Sequence, residues 1–309
     1  MSIVCPLCDS PRVFTVRSYL LSNLRREWHD HCGFDVFSEF EPLSPHLRLH
    51  RCGGCDLEFF LPQYVGGPQF YEKLSQGDWY YEDGKWEFDE AIRRLNGYTH
   101  LKTLLEVGCG NGCFLEKVAS CYDVMGLEIN EKAARVCQQK GLNVTTDKMG
   151  TLSRRFDAIV AFEVLEHLPN PGEFITQVGK LLSENGVLIL AVPNPESYLK
   201  DLDHTLLDMP PHHLTRWSRD SFQHLARRFG LRLIGIFNEP LRYEHYSYYL
   251  KALAETHHSG PTSSLRRKLG RKLSGILSPA LEYFILPQGY QYHKKVLAGQ
   301  THLAELRKV

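Results

Sequence analysis

From residue 101 onwards, short apolar runs alternate with amphipathic stretches. LKTLLEV, DVMGLEI, FDAIVAFEVL and GVLILAVP are almost continuously apolar and of strand length, the pattern of strands buried on both faces. Between them, CFLEKVASCY, EKAARVCQQKG and PGEFITQVGKLLSENG read as helices, the last two closed by Gly141 and Gly186. NVTTD reads as a short strand, SRDSFQHLARRFG as a further helix with Ser218 as its N-cap, and LRLIGIFNE as another strand. This alternation predicts an α/β fold: a doubly wound, mostly parallel sheet covered by helices on both faces.

The flanks are patterned differently. Residues 1 to about 62 show no helical periodicity and carry paired cysteines at both ends, and 64–86 are rich in Tyr, Gly and Trp and read as a connecting segment. Phe88, Ile92 and Leu95 recur at helical spacing, predicting a short helix over 87–100. After 240 the pattern weakens. Residues 241–256 are aromatic and helical in character, 257–264 are linker-like, and QYHKKVL is read as one last strand. The expected organisation is a module over 1–62, an aromatic linker and leading helix over 63–100, the main domain over 101–240, and C-terminal helices with a last strand over 241–309.

Composition adds constraints. Lys+Arg and Asp+Glu are both 36, so the net charge is zero and no global basic field argues for a nucleic-acid partner. The first residues, MSIVCPLCDS, have neither a basic nor an apolar leader region, and no apolar run is long enough to span a bilayer. The expectation is a cytoplasmic, reducing setting, in which nine cysteines serve as thiols or metal ligands. Cys5-x-x-Cys8 and Cys52-x-x-Cys55 are two chelating pairs. Four thiolates suit a structural zinc and leave no open coordination position. The separation of the pairs predicts that residues 17–45 bulge out as an insertion.

The first strand of the main domain runs into Glu106-Val107-Gly108-Cys109-Gly110-Asn111-Gly112. Glycines there let the chain turn tightly and let a ligand approach the backbone. The spacing differs from the Gly-x-Gly-x-x-Gly of dinucleotide binders, and no Lys-Ser/Thr follows to make a phosphate loop. Glu128 ends the second strand, where a carboxylate can accept both ribose hydroxyls of an adenosine.

LLEVGCGNG, Glu128 after MGL, FDAIVAFEVLEHLPNP and GVLILAVPNP, in that order, resemble the class I S-adenosylmethionine-dependent methyltransferases over roughly 100–240. The resemblance implies a Rossmann-like seven-stranded sheet with S-adenosylmethionine as cofactor. It implies that Glu106, Gly108, Cys109, Gly110 and Gly112 face its methionine part, that Glu128 holds the ribose, and that Ile129 packs on the adenine. Asp147 would lie near the adenine edge, and Phe162 and Glu163 would line cofactor and substrate. With the four-cysteine module in front, the chain resembles a bacterial subgroup that includes sugar methyltransferases of natural-product and surface-polysaccharide pathways.

Transfer to a hydroxyl is helped by a base, and histidine suits neutral pH. His167, after Glu166, sits in the loop beyond the fourth strand, and a loop-shaping role competes with catalysis there. His212 and His213 follow Pro210-Pro211. In an extended stretch they would point to opposite sides, leaving one as the base. Tyr80 and Tyr81, with Trp79 and Trp86, could cover the sulfonium or simply pack the module. Residues 265–286 are basic, then apolar: a solvated helix resting on its own domain, with peripheral contact to an anionic membrane as the alternative. The expected activity is methyl transfer, to oxygen rather than carbon, on a small-molecule or sugar/glycan acceptor. The alternatives are an RNA-modifying methyltransferase and a non-catalytic cofactor-binding scaffold.

Overall fold

The computed structural model describes residues 3–41, 43–77, 83–201, 204–246, 250, 290–291, 293–295 and 297–309. The chain forms two compact units: one of 1–193, 206–237 and 302–309, the other of 194–205 and 238–301. In the second unit, Tyr198, Leu241 and Tyr246 are buried together with Tyr290 and Leu297 packed against them.

The first unit holds the expected α/β architecture. Strands β4 (Thr103–Val107), β5 (Asp123–Leu127), β6 (Val144–Thr145), β7 (Phe156–Phe162) and β8 (Leu182–Pro193) alternate with helices α4 (Cys113–Val118), α5 (Glu131–Gln139) and α6 (Pro171–Leu181). The ladders β4·β5, β4·β7, β5·β6 and β7·β8 are all parallel. With β10 (Leu231–Pro240) and β11 (Ala298–Lys308) they make seven strands in the order β10-β11-β8-β7-β4-β5-β6. Side chains alternate strictly between the faces. Leu105, Ile159, Leu188 and Leu190 enter one core, and Leu104, Val160, Ile189 and Ala191 enter the other. That period of two, apolar on both sides, is why these strands read as continuous apolar runs.

Helix α7 (Arg219–Arg228) is capped by Ser218, whose side chain accepts from Ser221 N, and α3 (Trp86–Leu95) buries Phe88 and Leu95 as the spacing predicts. Two expectations are corrected here. Helix α6 ends at Leu181 rather than at Gly186, because Leu182 already pairs with Phe156 in the sheet. The last strand is β11, not QYHKKVL; there Leu303, Ala304 and Leu306 are fully buried.

The N-terminal region is also more ordered than expected. Strands β1 (Val13–Leu20), β2 (His46–Cys52) and β3 (Glu58–Leu61) form an antiparallel sheet, which β9 (Thr215–Arg216) extends to four strands. Between β1 and β2 lies α1 (Leu21–Cys32), whose Leu21, Leu24, Trp28 and Cys32 are buried at helical spacing. They pack with Phe37, Leu47, Leu49, Phe60 and Phe70 of α2 (Pro68–Leu74). Residues 17–45 therefore do not bulge out; they supply nearly half of the buried residues of a third core.

Candidate functional site

The carboxyl ends of β4, β5 and β7 face one region. This is the edge at which an open α/β sheet binds ligands. The turn after β4 places Gly108, Gly110 and Gly112 at φ of 76, 52 and 83°. A Cβ on Gly108 would meet Val164 at 2.6 Å, and one on Gly112 would meet Leu142 at 2.5 Å. Only glycine keeps this cradle open against Val164 of the loop after β7 and Leu142 ahead of β6.

Glu128 sits just beyond β5. It accepts from Gly110 N at 2.7 Å and from Asn130 N at 2.8 Å, which fixes its carboxylate beside the turn. Burial raises its pKa, and those backbone donors partly offset the rise. Glu106 is buried, and its Oε2 has no hydrogen-bond partner. Burial and the neighbouring Glu128 push its pKa well above the carboxylate range. Such an orphaned atom marks a place for a ligand donor. Next to Glu128, the apolar Ile129 is 89% exposed, an open face for a planar ring. Asp147 lies exposed after β6 and accepts from Thr145 Oγ1. Phe162 packs edge-on against Phe88 and Phe114 at the end of β7, and Glu163 follows at a positive φ of 52°. Cys109 is buried, and burial raises its thiol. The residues present fit S-adenosylmethionine: an open cradle, an acidic side chain at the second strand and an exposed apolar face.

The loop after β7 also carries Glu166 and His167, and the loop before β9 carries His212 and His213. Leu214 N donates to Glu166 O at 2.8 Å and holds the two loops together. The rings of His167 and His213 lie 4.8 Å apart between centroids, and His212 stacks on His213 at 4.3 Å. The expectation that His212 and His213 diverge is corrected: residues 210–212 form a turn, so the alternation of an extended strand does not apply. Burial lowers His167 to about 4 and holds His212 and His213 well below the usual imidazole value. All three are neutral at neutral pH. Asp208 accepts from His213 Nδ1 at 3.1 Å and pairs with Arg216 at 2.7 Å.

At the N-terminus, Cys5, Cys8, Cys52 and Cys55 bring one sulfur each to within 4.8 Å of all the others. Cys5 to Cys55 and Cys8 to Cys52 are both 3.5 Å. Four sulfurs about 2.3 Å from a tetrahedral zinc would be roughly 3.8 Å apart, so the cluster fits that ion. Leu7 N and Gly54 N point at the sulfurs of Cys5 and Cys52. Both turns end on an aspartate at positive φ, Asp9 and Asp56.

Residues 87–235 match a family model described as a methyltransferase domain. The chain is similar to the ubiquinone biosynthesis O-methyltransferase of Nitrosomonas europaea, with 28% identity over 198 residues, covering 55% of this chain and 84% of that one. It is similar to the same enzyme of Roseobacter denitrificans, with 25% identity over 224 residues, covering 66% and 77%. Residues 87–235 are thus a methyltransferase domain, and the chain is an S-adenosylmethionine-dependent methyltransferase. Among solved structures, a SAM-dependent methyltransferase from Archaeoglobus fulgidus aligns at 18% identity with a TM-score of 0.47, covering 72% of this chain and 92% of that one.

In this methyltransferase the structure gathers Glu106, Gly108, Cys109, Gly110, Gly112 and Glu128 around one turn, with Ile129 beside it. It brings His167 together with His212 and His213. Tyr80, Tyr81 and Trp79 lie outside the described residues, as does 265–286. Trp86 starts α3 and packs on the core around Phe114. Sequence reasoning missed Asp208, Arg216 and Tyr71. Tyr71 Oη lies 3.3 Å from His167 Nδ1 across 96 residues, a contact no local pattern announces. Asp208, five residues before His213, was within reach of a search for a carboxylate partner. Among the described residues, no helix is long and apolar enough to cross a membrane.

Proposed function

We propose that this methyltransferase acts on a hydroxyl oxygen of a small-molecule acceptor, with sugars and glycans included in that class. The observation that carries the reading is the imidazole cluster His167–His212–His213 at the carboxyl edge of the sheet. It is joined to the cofactor turn through Val164, which packs directly on Gly108. A hydroxyl needs to lose its proton as the methyl arrives, and neutral, oriented imidazoles suit that work. The two curated relatives named above are O-methyltransferases, which supports oxygen as the target.

S-adenosylmethionine supplies an electrophilic methyl group on a sulfonium. In this reading the cradle of Glu106, Gly108, Cys109, Gly110 and Gly112 orients its methionine part. Glu128 accepts from the ribose hydroxyls, Ile129 covers the adenine, and Asp147 lies at its edge. Phe162 and Glu163 line the path to the acceptor, and Tyr80 and Tyr81 belong to the same cofactor-covering proposal. Asp208 orients His213 and keeps its Nδ1 as the donor. The four-thiol cluster holds a structural zinc in the module over 1–62.

The test measures release of S-adenosylhomocysteine with panels of phenolic and sugar hydroxyls and with their methyl ethers. Turnover is expected with free hydroxyls and absent with the ethers. Turnover on amines or carbon acceptors alone would overturn the reading. Cofactor binding is tested separately. Glu128→Ala should weaken S-adenosylmethionine by about 10- to 100-fold by calorimetry, as for loss of hydrogen bonds to a charged group. An unchanged affinity would remove Glu128 from the site.

A further inference from the structure

The three imidazoles share an orientation that acceptor activation alone does not require. His167 Nδ1 lies 2.6 Å from the carbonyl oxygen of His212, and His212 Nδ1 lies 2.7 Å from that of Leu207. A carbonyl oxygen only accepts, so in both rings the proton sits on Nδ1. His213 Nδ1 faces the Asp208 carboxylate at 3.1 Å, which places its proton on Nδ1 as well. In all three neutral rings Nε2 therefore carries a lone pair. One ring nitrogen from each lies within 4.8 Å of the other two.

Glu166 stands against this group. Its side chain is fully buried, and neither carboxylate oxygen has a hydrogen-bond partner. Oε1 is 3.6 Å from His167 Nε2 and 3.9 Å from His213 Nε2, beyond hydrogen-bond length. Crowded ring nitrogens repel one another, and an ionised Glu166 is costly where it is buried beside Glu163. A cation between them would remove both penalties. Each ring also has the support that metal-binding histidines need, its other nitrogen donating to a carbonyl or a carboxylate. Asp208 is itself anchored by Arg216, and Pro210 by the Trp28 indole, which donates to its carbonyl at 2.8 Å.

We propose that His167, His212 and His213, with Glu166 beside them, form a second metal site, separate from the four-thiol cluster, that takes a first-row divalent ion of the zinc class. Imidazole and carboxylate suit zinc, cobalt or iron in this geometry. The site rests on the reading of the imidazole cluster as the acceptor side and changes its chemistry: with an ion bound, the ion rather than a free imidazole would favour loss of the acceptor's proton, and ion content is measured without any turnover.

The experiment uses the full chain, stripped with a chelator and titrated with Zn(II) and, in parallel, with Co(II). The wild type should bind about two ions per chain. His212→Gln should bind about one, and its cobalt form should keep the intense thiolate charge-transfer absorption of the cysteine site. Cys52→Ser should lose that absorption and keep the ion bound by imidazoles. Should His212→Gln fail to fold, as judged by loss of S-adenosylmethionine binding, Glu166→Gln gives the same reading at near-native volume through a weakened second ion. Two ions retained in both His212→Gln and Glu166→Gln would overturn the site. So would the loss of all metal from Cys52→Ser at a temperature where its β1–β3 sheet is still folded. A wild type that binds two ions but methylates no hydroxyl would speak against the O-transfer reading and leave the site standing.

Discussion

The thiol cluster and the imidazole cluster lie in the same compact unit and are assembled in opposite ways. Each half of the thiol cluster is one tight turn, closed by Asp9 N to Cys5 O at 3.0 Å and by Asp56 N to Cys52 O at 2.9 Å. The chelating geometry is local, repeated, and written as Cys-x-x-Cys-Asp in both places. The imidazole cluster has only His212 and His213 as neighbours. His167 reaches them from 45 residues away, through the bond of its own ring to His212 O, the Leu214 N to Glu166 O bond and the packing of two loops. A local turn announces itself by spacing; a cluster built by packing depends on the cores that hold its loops. The thiol cluster should therefore fail when a ligand is lost, and the imidazole cluster when its scaffold is lost.

Removing a thiol is the most damaging change. Structural zinc sites contribute about 10 kcal/mol or more to the folded state of small domains. Cys52→Ser leaves three thiolates under the β2–β3 turn. The β1–β3 sheet should then melt below the rest of the chain, seen as a separate low-temperature transition in calorimetry. A melt that superimposes on the wild type would show that the cluster does not hold the module together.

The scaffold of the imidazole cluster can be broken at a distance. Trp28 has no exposed surface, meets Phe70 edge-on at 5.1 Å, and donates to Pro210 O. Trp28→Ala should cost about 3–5 kcal/mol by urea unfolding. Trp28→Phe keeps much of the packing, loses one hydrogen bond, and should cost about 1–2 kcal/mol. The histidine resonances of the 210–213 turn should shift in both, while the cobalt spectrum of the thiol site stays the same. A cost below about 1 kcal/mol for the alanine would mean that α1 is not part of this core.

The same division explains what was readable beforehand. The alternation after residue 101, the glycine turn, Glu128 and the Ser218 cap are local or periodic features, and they appeared where they were expected. The pairing of the cysteines was visible because three residues set the bite. Helix α1 was missed although Leu21, Leu24, Trp28 and Cys32 stand at helical spacing, because charged residues and histidines fill the positions between them. The end of α6 was misplaced because pairing of Leu182 with Phe156 overrides the stop signal of Gly186. The last strand was misplaced because AGQTHLAELRK owes its burial to its place between β10 and β8, which is a tertiary property. The convergence of His167 with His212 and His213 is the extreme case, since no window of sequence contains it.

A lone buried histidine provides the reference for the cluster. His302 is 3% exposed, packs edge-on against Phe222 at 5.5 Å, and is lowered to about 4 by burial. Above about pH 6.5 it is neutral in both the folded and the unfolded chain, and its contribution is fully present. As pH falls from there towards 4, the unfolded chain takes up a proton that the folded chain refuses. Stability is lost across that window, by roughly 3 kcal/mol for a fall from 6.5 to about 4. His302→Phe should flatten this part of the pH–stability curve. If the slope is unchanged, the acid sensitivity lies in His167, His212 and His213 instead. Zinc should then suppress it, because a bound ion competes with the proton for the same nitrogens.

The smallest effect probes where the thiol cluster meets the α/β core. Ser218 Oγ caps α7 by accepting from Ser221 N at 3.2 Å, and it donates to Asp56 Oδ2 at 2.7 Å, one residue beyond Cys55. Ser218→Ala removes both bonds and should cost about 1–2 kcal/mol. Ser218→Asp keeps an acceptor for the cap and sets a second carboxylate against Asp56, so it separates the helix from the link. If the thiol cluster is self-contained, metal content and the cobalt spectrum should be unchanged in both variants, with the loss confined to the unfolding curve. A drop in metal affinity of more than about tenfold in Ser218→Ala would mean that the turn at Asp56 needs α7 to hold its shape. The two clusters would then differ in degree of dependence on packing, and the contrast drawn from their local geometry would fail.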